Sequence, residues 1–121
     1  MLFQLNLGGT LMSNTNEAFK EQFIVRQSNL KLFEEFLINK LKTLETLSTD
    51  SSDLIEQIMS ELFQHEETSE EFREAKQIAN CFLNDGLPFT VALAHLNYLY
   101  DVTCFKIYHM ESIKDIFDCY F

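Results

Sequence analysis

Three histidines (His65, His95, His109) and three cysteines (Cys81, Cys104, Cys119) are the side chains here with the chemistry for nucleophilic, metal or haem work. No histidine or cysteine has a second one at helical spacing, and no C-x-x-C or H-E-x-x-H pattern occurs, so no metal ligand set can be assembled. Ser-His-Asp and Cys-His constellations, a Gly-rich phosphate loop and a spaced carboxylate pair on a rigid scaffold are also missing, and the chain reads as having no catalytic residues. A phosphotransfer histidine would have to stand exposed on a regular helix beside a basic residue, which neither His65 nor His95 offers. His65 reads as part of a solvated loop, and Glu34-Glu35 and Glu70-Glu71 as solvated helix faces. His95 lies in an apolar segment; it reads either as a core histidine bonded to a neighbour or as a polar handle in a cavity, where titration near neutrality would make the site pH-sensitive.

The elements that position these groups are helical. Three Gly and one Pro in 121 residues argue against a turn-rich β protein, and 46% hydrophobic residues, with twelve Phe and four Tyr but no Trp, supply an aromatic core. A formal charge of −10 disfavours nucleic acids and anionic membrane surfaces, both of which demand clustered Lys and Arg. An odd cysteine count without a secretory leader indicates free thiols and a reduced, cytoplasmic setting, in which buried cysteines act as small apolar residues.

Along the chain, Phe19, Phe23 and Ile24 mark a short leading helix over 16–25, and Ser28 or Asn29 can cap a longer one to about 47 whose stripe is Leu30, Phe33, Leu37, Leu41 and Leu44. The polar run 48–52 ends it. Asp53 and Glu56 resemble a capping box for a helix carrying Leu54, Ile55, Ile58, Met59, Leu62 and Phe63; Thr68 and Glu71 form another, before Phe72, Ala75, Ile78, Ala79, Phe82 and Leu83. Gly86 is then expected as a left-handed cap and Pro88 as a first helical residue. Residues 89–110 are apolar on nearly every side, which predicts a buried central helix; its longest unbroken apolar run, 91–94, falls far short of the roughly 20 residues of a membrane span. On a helical wheel His95 shares a side with Lys106 and His109, opposite Thr90, Asn97 and Asp101. Ser112 is expected to cap a short last helix of Ile113, Ile116, Phe117 and Tyr120.

Residues 1–11 carry no charge and differ in character from the polar segment after Met12, and the Gly8-Gly9 pair sits where an in-frame ribosome-binding sequence would be translated. The expected organisation is an upstream extension over 1–11, a native start at Met12, and one domain over 12–121.

The order of helices and the stretch 78–89, with its Gly86-Leu87-Pro88 turn, resemble the sensor branch of the globin fold. In globin-coupled sensors the haem-binding histidine precedes this turn; here Asn80, Cys81 and Phe82 stand in its place, and no histidine occurs between His65 and His95. The chain is more similar to the non-haem members, namely stressosome scaffold amino-terminal domains and the sensor domain of a sporulation histidine kinase with its plasmid-borne inhibitory relatives. The residues carrying this likeness are Gln22-Phe23-Ile24, Asn29-Leu30, Leu41-Lys42-Thr43-Leu44, Gly86-Leu87, Phe89, Ala92-Leu93-Ala94 and Leu99-Tyr100.

The resemblance implies an all-α, globin-like helical bundle without haem or other cofactor, forming a homodimer; those domains continue into another long helix, whereas this chain stops at Cys119-Tyr120-Phe121, so its last helix is expected to be short or truncated. It further implies a fatty-acid-like ligand in an apolar tunnel and inhibition of a sporulation sensor histidine kinase by competition for its signal or contacts. Phe82, Leu87, Phe89, Leu93, Leu96 and Tyr100 are then expected to line the pocket with Phe33, Phe36, Leu37 and Phe63 from other helices, and His95 or Asn97 to supply a polar contact. A ligand-free acidic adaptor working only through protein contacts is the alternative, and it predicts a solid core. Reconstitution of the purified chain with haem is expected to give no Soret band.

Overall fold

A computed structural model describes the backbone of residues 8–120 and, within it, the side chains other than those of 8–16, 49, 117 and 120. Residues 1–7 of the expected extension lie outside the described residues. Four helices succeed one another: α1 (Gly8–Thr46), α2 (Ser52–Gln64) after a 3-10 turn at Thr49–Ser51, α3 (Glu70–Asn84) and α4 (Phe89–Tyr120). No strand occurs among the described residues, and the fold class is all-α.

Two expected helix breaks do not occur. The leading helix and its longer successor are a single α1 of 39 residues, about 58 Å long. Asn29 lies half-buried within it and caps nothing, because the apolar stripe runs on without a Gly or Pro to end it. Leu30, with Phe23 beside it, packs on Ile107 and Met110 of α4 across that junction. Likewise α4 continues to Tyr120 as one 32-residue helix, and no separate short last helix exists. Ser112 Oγ donates back to the Tyr108 carbonyl at 3.4 Å, inside the helix, where a capping serine would be freed from it.

α1 and α4 lie antiparallel. Leu30 meets Ile107 and Met110, Lys31 reaches Glu111 at 3.5 Å, and Glu34 meets Cys104, so rising numbers on one helix match falling numbers on the other. The α2–α3 hairpin covers the inner side of this pair. Phe33, Leu37, Leu41 and Leu44 of α1, Met59 and Leu62 of α2, Ala75 and Ala79 of α3, and Ala92 and Leu96 of α4 are at most 1% exposed and form one core. The alanines of α3 and α4 let the backbones approach closely where the aromatics and leucines come from α1.

The central helix is not buried all round, contrary to its composition. α4 packs against α1 on one flank and α3 on the other, leaving its outer face bare: Tyr98 is 71% exposed, Phe105 73% and Tyr108 65%.

Two caps differ from the sequence reading in register. Ser69, not Thr68, is the N-cap of α3, its hydroxyl accepting from the Phe72 N–H at 3.3 Å. α2 begins at Ser52, so Asp53 lies in its first turn, where it favours the helix dipole without capping it. Gly86 adopts φ 76° as expected, and the N–H groups of Asp85 and Leu87 both reach the Cys81 carbonyl, at 3.0 and 3.1 Å. Pro88 sits one position before α4, and its carbonyl accepts the Ala92 N–H at 3.0 Å.

A Cβ on Gly86 would meet no atom within 4 Å, so only backbone strain opposes substitution. Gly86→Ala is expected to cost about 1 kcal/mol, and Leu96→Ala, at 0% exposure, about 3 kcal/mol. Urea denaturation midpoints measure both.

Candidate functional site

The α3–α4 hairpin folded at Gly86 encloses an open groove of about 590 Å³. Ile78 and Cys81 of α3, Leu87 of the turn, and Tyr98, Leu99 and Val102 of α4 give it apolar walls, while Glu74, Gln77, His95 and Lys106 supply the polar groups. Positions 74, 78 and 81 lie on one side of α3, and 95, 99, 102 and 106 on one side of α4, so helical spacing brings both sets to the same gap. His95 and Lys106 share that side as the wheel places them.

The apolar residues expected to line a pocket do not share one wall. Leu87 borders the groove, while Phe33, Leu37 and Leu96 lie in the core at 0% exposure. Phe36, Phe82, Phe89, Leu93 and Tyr100 are half-buried against that core, Phe82 and Phe89 meeting edge-on across the turn at 6.3 Å. Phe63 stands 40% exposed on α2. Of the polar pair, His95 is exposed at the groove and is not a core histidine, because the side of α4 that bears it is only partly covered by α3. The Asn97 amide donates to the Leu93 carbonyl of its own helix at 3.0 Å.

Groove residues absent from the expected site are Glu74, Gln77, Ile78, Cys81, Tyr98, Leu99, Val102 and Lys106. Their signal was available: folding the two helical patterns back on each other at Gly86 puts 78 opposite 95 and 99, and 74 opposite 99 and 102.

Two acidic groups are not the solvated residues their clustering suggests. The Glu71 side chain is only 6% exposed and accepts from Lys106 Nζ at 2.8 Å, tying the first turn of α3 to the middle of α4. Burial raises its pKa, but the hydrogen bonds from Lys106 and from its own backbone N–H, with the charge of Arg26, outweigh this and leave it below the ordinary 4.5. Glu34, half-buried, accepts from the Cys104 thiol at 3.4 Å. Burial pushes the Cys104 thiol up and the Glu34 carboxylate adds to this, although its bond with Tyr100 works the other way. The same Tyr100–Cys104 bond, with burial, pushes the Tyr100 phenol up to about 12. The balance holds the Cys104 thiol toward its protonated form. Cys119, by contrast, is exposed.

His65 is likewise not a loop side chain in water. Its ring stacks on Phe72 at 4.1 Å and 6°, with Phe36 tilted against it at 4.6 Å, and Nδ1 lies 2.9 Å from the Glu66 carbonyl. This cluster closes the α2–α3 linker over α1.

A second groove, of about 670 Å³, separates α1 from the start of α3. It is the larger of the two, but it lies at the other end of α3 from the Gly86 turn, and Glu21, Gln22, Arg26, Asn29, Glu70 and Glu71 line it together with Ala18, Val25 and Leu30. Among the described residues no cluster of three metal-ligating side chains occurs, and no helix is long and apolar enough to cross a membrane. No protein family, curated protein or solved structure matches this chain.

Ionised Glu71, with its depressed native pKa, stabilises the fold above the ordinary carboxylate value, and that contribution is lost as pH falls through the lower native value. Stability is therefore expected to decline below about pH 4.5, with Glu71→Gln flattening this acid limb. Lys106→Met, which strands the buried carboxylate, is expected to cost about 2 kcal/mol at neutral pH. Chemical denaturation as a function of pH reads all three.

Proposed function

We propose that the chain is a haem-free, non-catalytic sensory module whose α3–α4 groove takes an apolar chain ending in a carboxylate, a fatty-acid-like ligand. The observation that carries this reading is the groove itself. Its apolar walls lie beside the Gly86-Leu87-Pro88 turn, and His95 at its edge can donate to an anionic head, beside a Lys106 that is paired with Glu71 and a Glu74 carboxylate on the facing helix. A ligand there touches two helices joined by one turn, and it biases signalling to the extent that it favours one arrangement of them over another. The resemblance to sporulation sensor domains supplies the pathway: the module inhibits a sporulation histidine kinase by competing for its signal or its contacts, in the cytoplasm.

A second reading, that of a ligand-free acidic adaptor, is favoured by the filling of the core. Phe33, Leu37 and Leu96, expected around a tunnel, are completely covered. Such an adaptor would bind its partner in a salt-sensitive way.

Native mass spectrometry of the purified chain, with thermal melts in saturated fatty acids of increasing length, separates the two. The sensory reading predicts bound lipid and stabilisation that grows with chain length, about 1.4 kcal/mol at ten times the dissociation constant. Val102→Trp, which fills the groove from α4, is expected to abolish the stabilisation. No bound lipid and no dependence on chain length would leave the adaptor.

A further inference from the structure

One ion pair joins the two grooves. Glu71 of α3 borders the α1–α3 groove, Lys106 of α4 borders the α3–α4 groove, and the two meet at 2.8 Å. Of the ion pairs between described residues this is the one with a covered member: the Glu71 side chain is 6% exposed, against 23% or more for every group in the others. The Lys106 side chain, at 39%, stays open to the groove on its own side.

With this pair intact the α3–α4 groove has little to hold an anion. Glu71 compensates the Lys106 ammonium, and Glu74 adds a carboxylate to the wall. An anionic head gains a net attraction there where Lys106 gives up Glu71. The ammonium is a point charge on a flexible stem and can turn into the groove. Glu71 has no such freedom, since a buried carboxylate that loses its partner is strongly destabilising.

Arg26 is the cation placed to replace Lys106. It borders the α1–α3 groove together with Glu71, its charge already acts on that carboxylate, and it forms no ion pair with any described residue. Glu21 and Glu70 border the same groove but are exposed, so they compete weakly for it. We infer that Glu71 is a shared counter-ion: a carboxylate entering the α3–α4 groove draws off Lys106, Arg26 takes its place on Glu71, and the tie from α3 to α4 becomes a tie from α3 to α1. The inference rests on the sensory reading for its ligand, and it gives that reading two helix arrangements that a ligand can tell apart.

The exchange is testable first without a ligand. In urea denaturation, Lys106→Met and Arg26→Gln together are expected to lower the folding constant at least about threefold beyond the product of the single losses, because each cation covers for the other. Losses that simply multiply would overturn the exchange. For the ligand, the probes are laurate and dodecanol, of equal chain length, in titrations and thermal melts. Glu71→Gln, which releases Lys106, is expected to tighten laurate binding at least about tenfold and to leave dodecanol unaffected. Arg26→Gln is expected to weaken laurate binding about tenfold in the parent chain and to have no further effect beside Glu71→Gln. The chain has no Trp, so Ala18→Trp sets a single indole at the α1–α3 groove, and its emission is expected to shift with laurate but not with dodecanol. Laurate binding that is unchanged or weaker in Glu71→Gln, or an indole that does not respond to bound laurate, would overturn this inference and leave the sensory reading standing. Binding of neither probe to any variant would overturn both.

Discussion

The fold depends on one stripe of α1. Leu30, Phe33, Leu37, Leu41 and Leu44 are at most 1% exposed, and α1, like α3, touches each of the other three helices. α2 and α3 are short helices that pair with each other, and they find their place because Phe33 and Phe36 meet Phe72 at 4.6 and 5.4 Å. The apolar burial that stabilises a small domain is shared: α2 adds Ile55, Ile58, Met59 and Leu62, and α4 adds Leu96, Leu99, Ile107 and Met110, with alanines at 75, 79 and 92 where backbones come close.

This arrangement leaves α4 half-wrapped. A helix in the middle of a larger bundle has neighbours on all sides, whereas α4 has α1 and α3 on its inner flanks. Its apolar composition is divided between two purposes: Ala92, Leu96, Leu99, Ile107 and Met110 face the core, and Tyr98, Phe105 and Tyr108 face outward. Tyr98 belongs to both the exposed stripe and the wall of the α3–α4 groove, so whatever covers the outer face also alters access to the groove.

Electrostatics reinforce this geometry in an acidic protein. Most carboxylates lie at the surface, but Glu71 is drawn inside by Lys106, and Glu34 bonds the Cys104 thiol. Each joins two helices by a charged or polar contact at the edge of the apolar core. A buried pair of this kind fixes register more than it adds stability, since desolvation offsets much of the attraction.

Helical class, the α1 stripe and the Gly86 turn were legible in the sequence, because they rest on local rules: apolar spacing at three and four residues, and the ease with which glycine takes positive φ. The wheel likewise placed His95 beside Lys106. That α1 runs unbroken through Asn29 and α4 through Ser112 was not legible, since both residues are equally good caps and mid-helix residues, and contacts such as Leu30 with Met110 keep the helices continuous. Nor could composition tell which face of α4 is buried, that His65 stacks on Phe72, or that Glu71 turns inward while Glu70 does not. Those outcomes depend on which helices lie alongside, a property of distant residues brought together. Local pattern set what each helix could bury, and packing settled what it did bury, because the two helices flanking α4 can cover only part of its circumference.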